Sequence, residues 1–596
     1  MNDPMKYLVS FLLLFAFSLP LAAQHWSYDH LSGPKSSMNV ASCGSKVFFY
    51  SGTTKIGSSI VLVEDVEIID VQTGIKESTP LPTGVARTDC GVAVLGSKIF
   101  FAGGRGSLGQ STRVDIYDTL TGIWSTANLS AKRDNIAATA ASAKVFFGGG
   151  YGDGTYSSVV DIYNQTTNTW TATQFPNGTV APIPPQRTDL TALAVGNKIL
   201  FAGGLSVGYR KLVSVYDAGS NSWLSNRSLS QHKGSLNSIV YKNKGYFIGG
   251  LGRSNSSDVG LVFPSDTIDL YDSNTDTWST LKIPHIMHDT YNAKRAYTQV
   301  ALAGCKLFLV PSLSSRGTTD PNPLYDSFPD TIAIYDLERN TWNFEALPHS
   351  RTAVTVVAAQ NKVYFAGGAS TYHPVIRFDD IDIYTLLPKL QLKVSVSPIT
   401  DYSHDFGNVL TTDAVNTQLD ISNEGDYFLR FKDGSDKISL TGDLSDFTID
   451  LSALQAEDTL EPAQLLHIPV SFHPQSAGEK TVTLQIASND PDLPLYSFVL
   501  KGNGTLTNST QNAHETQAVT IYPVPCSDVL NIQLHAPFQQ ASFRLTDLNG
   551  KVIVDLKDMK ATHALSTASI PNGIYLLQIL ADTTTYSSKV VIAHES

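Results

Sequence analysis

Seven cations at one repeated spacing are the residues best placed to do chemistry in this chain. Lys35, Arg87, Arg133, Arg187, Lys233, Arg295 and Arg351 each stand sixteen positions before Ser51, Gly103, Gly149, Gly203, Gly249, Pro311 and Gly367, which in most cases open a glycine pair. Connections elsewhere in the same region vary in length, so a constant interval marks equivalent places. Seven like charges converging on one opening would concentrate counter-ions there, and would repel one another unless something compensated. The spacing therefore predicts a ligand site for an anionic group, such as an acidic sugar or an acidic polymer segment. A structural reading stands beside it, in which each cation bonds carbonyls and carboxylates of neighbouring elements; Asp89, Asp134 and Asp189 follow closely enough to serve.

Other signatures lack their context. Gly104-x-Gly106-x-x-Gly109 fits a dinucleotide fingerprint, but Thr112 to Tyr117 reads as a strand, so no helix N-terminus awaits a pyrophosphate. Asp405-Phe406-Gly407 spells a kinase metal-binding tripeptide without the other kinase elements. His285 and His288 form HxxH with no third ligand in view. Cys43, Cys90, Cys305 and Cys526 are scattered and contain no CxxC. No cofactor, no metal and no catalytic residue is assigned. A net charge of -12 without a Lys/Arg run argues against a nucleic-acid partner.

The elements that must position the cations repeat seven times. An aliphatic-aromatic strand runs into the glycines, as in Ile99-Phe100-Phe101-Ala102-Gly103-Gly104 and Val363-Tyr364-Phe365-Ala366-Gly367-Gly368. A second strand follows, as in Ile116-Tyr117-Asp118 and Ile334-Tyr335-Asp336. A polar turn then leads to Trp124, Trp170, Trp223, Trp278 or Trp342. Over residues 24 to 388 this resembles the Kelch repeat, and the resemblance implies a seven-bladed β-propeller whose innermost strands line a central channel. The first repeat departs from the pattern with Ser51-Gly52 and with Lys76 in place of the Trp; the sixth has Val310-Pro311. The seventh ends without a Trp strand, while an unclaimed Trp26 precedes the first, so the N-terminal strand is expected to complete the last blade. Some Kelch propellers are copper radical oxidases and others act on acidic sugars as mutarotases or epimerases; no general base for either is visible here.

At the scale of the chain, 596 residues exceed one core. Lys6, the apolar stretch Tyr7 to Leu19 and Ala22-Ala23 read as a signal peptide over 1–23, too short to span a bilayer. Residues 389–505 alternate as sandwich strands do. Asp405-Phe406-Gly407-Asn408-Val409, Leu419 to Gly425, Val470-Ser471-Phe472-His473-Pro474 and Ser488-Asn489-Asp490-Pro491 resemble a choice-of-anchor-D-type immunoglobulin-like domain. A polar linker fills 506–518. In 519–596, Ile521 to Ile532, Leu545 to Val552 with its Asn549-Gly550 turn, and Pro571 to Leu577 resemble the type IX secretion C-terminal sorting domain.

The expected fold class is thus all-β: a seven-bladed Kelch-type propeller, an immunoglobulin-like sandwich and a small C-terminal β-sandwich. The expected function is a secreted or surface-displayed, non-catalytic binding protein of a Gram-negative bacterium, with a protein or glycan ligand, an anionic one on the ligand-site reading of the cations, and with the type IX machinery as partner. No transmembrane segment is expected in the mature chain. The alternative is a secreted carbohydrate-active enzyme with its site at the channel mouth.

Overall fold

The computed structural model describes residues 25–594 apart from 83–84, 177–184, 254–262, 285–295, 313–330, 350, 352–353, 370–375, 395–396, 399–401, 433–436, 457, 507–518, 536–537 and 583. The expected signal peptide, most of the linker, the His285/His288 pair and Arg295 lie outside the described residues. The fold is almost entirely β. Its single described α-helix is Ser452–Ala456, and no described helix is long and apolar enough to cross a membrane.

Each repeat forms a four-stranded antiparallel sheet. In the second repeat Gly91–Leu95, Lys98–Ala102, Gly109–Asp118 and Ile123–Arg133 pair in chain order. The second strand of each sheet carries the aliphatic-aromatic run because both of its faces are covered: Phe100 and Phe101 are wholly buried. Apolar clusters form between successive sheets. Ala93, Phe100 and Ala102 of repeat two meet Ile136, Val145, Phe147 and Tyr163 of repeat three. Burial of one such aromatic side chain is worth about 1.5–3 kcal/mol, so adjacent sheets hold each other together. Gly109 opens a strand rather than a helix, as expected of the GxGxxG segment.

The N-terminal strand Trp26–His30 pairs with Asp380–Thr385 and completes the seventh sheet. Its register puts Trp26 opposite Tyr384, the relation that Trp124 has to Tyr117 and Trp170 to Tyr163. The innermost strand Asn39–Cys43 touches both Gly91–Leu95 of repeat two and Thr355–Ala359 of repeat seven. Val47 and Phe49 of repeat one share a core with Tyr364 and Ile383 of repeat seven.

The glycine pairs follow from how closely the repeats approach. Gly104 N donates to Arg133 O at 2.8 Å, Gly150 N to Arg187 O at 2.8 Å, Gly204 N to Lys233 O at 2.9 Å, and Gly368 N to Lys35 O at 2.9 Å. Each bond runs from the second glycine to the cation at the entry to the following repeat, and the last runs from the seventh repeat back to the first. A Cβ on Gly103 would lie 2.4 Å from Arg133 O, and both Gly103 and Gly104 have positive φ (63° and 91°).

Beyond the repeats, two sheets pack on one core. One contains Leu390–Val394, Val415–Asn423 and Leu465–Phe472; the other contains Ser403–Leu410, Gly478–Ala487 and Leu495–Thr505. Leu392, Ile421, Phe472, Leu484 and Phe498 lie within it. This sandwich belongs to the same compact unit as the repeats. Lys306 of repeat six bonds Asp336 of its own sheet (3.0 Å) and Asp426 of the sandwich (2.9 Å), and Arg339 donates to Gly425 O. Burial pushes Asp336 up, but the Arg339 backbone and guanidinium together with Lys306 outweigh it and hold the carboxyl at about 2.

A second unit comprises 504–596 with 410–413 and 474–478. Its sheets contain Val529–Leu534 and Thr562–Ser566 on one side, and Ala541–Asp547, Gly573–Ala581 and Thr584–Ile592 on the other. Leu530, Ile532, Phe543, Leu545, Leu577 and Val590 form its core. The expected Asn549-Gly550 turn is present: Gly550 has φ 82°, and Asp547 Oδ1 accepts from the Asn549 and Lys551 N–H groups.

Candidate functional site

The six described members of the cation series occupy equivalent places, but they are not displayed to solvent. Arg87, Arg187 and Lys233 have no exposure, Arg133 and Arg351 have 1% and Lys35 has 2%. Five face a carboxylate on the third strand of their own sheet. Lys35 Nζ donates to Glu67 at 2.5 Å and to Asp65 at 2.7 Å. Arg87 reaches Asp115 at 2.5 Å, Arg133 reaches Asp161, Lys233 reaches Asp269 at 2.7 Å, and Arg351 reaches Asp382 at 2.5 Å. The acids share one register, opposite Phe49, Phe101, Phe147, Phe247 and Phe365 of the second strand. Arg187 instead meets Ser214, which stands opposite Phe201.

The guanidiniums also donate to backbone carbonyls around the glycine turn. Arg133 Nη1 donates to Gly149 O at 2.5 Å and to Val159 O at 2.9 Å; Arg351 donates to Gly367 O at 2.6 Å and to Phe365 O at 2.7 Å. Arg87, Arg133 and Arg351 thus tie the end of the second strand to the start of the third. These are charge-assisted bonds in a dry place, where an unpaired member of either sign would be costly.

The expectation of a solvated cationic ring is corrected on this point: Lys35, Arg87, Arg133, Arg187, Lys233 and Arg351 are internal, because desolvated charge is retained only where carboxylates and carbonyls surround it. The carboxylates are Glu67, Asp115, Asp161, Asp269 and Asp382 rather than Asp89, Asp134 and Asp189. Arg295 lies outside the described residues, and the acid's register in its repeat is held by Ala333.

Among the described residues, the position two places after the cation is exposed or half-buried in five repeats. Ser37, Asp89, Asn135, Asp189 and Ser235 all adopt left-handed backbone, with φ of 49–55°. Asn135 N donates to Asp89 O at 3.0 Å, and Ser235 N to Asp189 O at 2.8 Å. Asp89 and Asn135 are exposed. Burial, then the charges of Asp134 and Asp89, raise the pKa of Asp189. Asp134 is itself buried and bound to Arg105 at 2.8 Å.

Residues 86–128 match the Kelch motif. Residues 520–593 match the secretion system C-terminal sorting domain. No curated protein matches the chain. The Kelch match spans one whole repeat, from the residue before Arg87 through Gly103-Gly104 and Tyr117 to the strand after Trp124. The sorting tail supports secretion or display on the outer surface.

Among the described residues, the hairpins that follow the glycines in repeats one, two and four carry aliphatic residues that nothing covers. Leu108 is 99% exposed, Val207 is 88% exposed, and Ile56 and Ile60 are each 66% exposed. Sequence reading missed these tips, since they fall between the repeated elements; the only available signal was an apolar residue inside a glycine-rich turn. Among the described residues one group offers three metal-ligand types within 4.8 Å, His30 with Asp379 and Asp380. Its His30 is well exposed, and its Nδ1–carboxylate separations of 4.0 and 3.8 Å are those of a surface ion pair.

Proposed function

We propose that this is a secreted or surface-displayed binding protein whose seven Kelch-type sheets close into one propeller, with a protein as its ligand. The carrying observation is the set of uncovered aliphatic hairpin tips, Ile56, Ile60, Leu108 and Val207, on the hairpins that follow the glycines. Aliphatic groups held on short, hydrogen-bonded hairpins suit a protein surface. The buried cations serve this head by bracing the turns from which the hairpins spring. Closure is supported by the Gly368–Lys35 bond and by the borrowed Trp26 strand. In this reading the 389–505 sandwich is an immunoglobulin-like spacer of the choice-of-anchor-D type, and the tail is the export address read by the type IX machinery.

The test is an array of extracellular proteins and glycans probed with the full chain. Capture by a protein, lost in the Leu108→Asp/Val207→Asp double variant with its unfolding midpoint unchanged, is the expected result. Capture only by glycans, or capture indifferent to those two substitutions, would reject this reading.

A further inference from the structure

Repeat four departs from its siblings at two positions, and the departures add up. At the register where Glu67, Asp115, Asp161, Asp269 and Asp382 receive a cation, it has Ser214. The residue whose N–H closes each hairpin onto the second glycine's carbonyl is Val63, Ser111, Ser157, Ser265 or Phe378 in five other repeats; in repeat four it is Arg210, at 2.8 Å from Gly204 O. One carboxylate is lost and one guanidinium gained at the same end of one sheet.

The two arginines are neighbours. Arg210 is bonded through its backbone to Gly204, and a Cβ on Gly204 would lie 3.3 Å from Arg187 Cβ. Arg187 donates to Leu212 O at 3.0 Å and to Ser214 Oγ at 3.1 Å, both neutral. Its Cζ sits 4.7 Å from the centre of the Phe175 ring, where the preceding and following repeats have Leu129 and Leu229. An aromatic face steadies a buried guanidinium but cancels no charge. The Nε–H groups of both Arg187 and Arg210 are buried and bonded to nothing. Arg87 and Arg133 also leave Nε free, but each of those has its carboxylate. Burial first, and the Arg210 charge second, depress Arg187 to about 9.

We infer that repeat four holds an oxyanion, a carboxylate above all, between the Arg210 and Arg187 guanidiniums, replacing from outside the acid that its siblings carry on the third strand. Arg210 is half-buried and supplies the approach from solvent; Arg187 lies behind it. The source is either a small free anion or an Asp or Glu side chain of a bound protein. This subsite does not depend on the hairpin tips being a docking face.

The experiment follows thermal unfolding of the full chain in succinate against chloride at constant ionic strength. The wild type is expected to gain a saturable rise in midpoint. Arg210→Ser, which restores the residue of repeats two, three and five, should weaken the apparent affinity about tenfold or more. Ser214→Asp supplies the missing acid from within; it should raise the midpoint in chloride and abolish the response to succinate. Identical midpoints in succinate and chloride for the wild type, or a response undiminished in Arg210→Ser, would overturn the inference. Should Ser214→Asp fail to fold, the Arg210→Ser comparison decides alone. A capped Gly-Glu-Gly peptide, run beside succinate, separates the sources: tenfold tighter binding of the peptide assigns the site to a protein side chain, and equal binding assigns it to a small anion.

Discussion

At the residue scale, a conserved-looking interval proved to encode an internal brace. A guanidinium can satisfy two carbonyls and one carboxylate at once, and Arg87, Arg133 and Arg351 do so, while Lys233 takes one carbonyl and one carboxylate and Lys35 takes two carboxylates. The cost of losing such a brace depends on what it leaves behind. Arg133→Met strands Asp161 in a dry site, and we expect a loss of about 3–5 kcal/mol. Arg187→Met leaves only the Ser214 hydroxyl and the Leu212 carbonyl, both neutral, for a loss nearer about 1–2 kcal/mol. Urea unfolding of both variants in chloride buffer measures the difference; equal losses would show that the stranded carboxylate is not the decisive cost.

At the scale of the element, the glycine turn combines a left-handed backbone with close contact to the next repeat, and these contributions can be separated. Gly154 has φ 78° with nothing within 4 Å of an added Cβ, while Gly103 has φ 63° and would meet Arg133 O at 2.4 Å. Gly154→Ala should cost about 1–2 kcal/mol, the ordinary left-handed penalty. Gly103→Ala should cost about 2 kcal/mol more, since a neighbouring strand must shift to admit the methyl group. Denaturation midpoints of the two single variants check this. If both fall equally, inter-repeat approach contributes nothing to the requirement for glycine at that position.

At the scale of the molecule, the two ends of the repeat region meet in one sheet. Trp26 stacks edge-on against Tyr384 at 5.0 Å and donates from Nε1 to Glu345 at 3.1 Å. Deleting residues 25–30 would bare the edge of Asp380–Thr385, with Ile381 and Ile383 behind it. We expect a lower unfolding midpoint and concentration-dependent self-association, because an uncovered apolar edge strand recruits another chain. Light scattering and denaturation of the truncated chain provide the measurement. A monodisperse product of unchanged midpoint would remove any closing role for that strand.

The sequence alone determined the periodicity, the order of elements, the borrowed Trp26 strand and the sorting tail. Each is written in local pattern: an apolar run of fixed length, a glycine pair, an aromatic at a set offset, an Asn549-Gly550 turn. It also located the cations in equivalent places. Whether they faced water or carboxylate was decided only by tertiary structure, because their acidic partners lie 28 to 36 positions away across loops of unequal length (Asp115, Asp161, Asp269). Pairing across a sheet is set by strand register, and spacing along the chain does not reveal it. For the same reason the Ser214 and Arg210 departures, though present in the sequence, acquire meaning only once five other repeats are aligned by their hydrogen bonds.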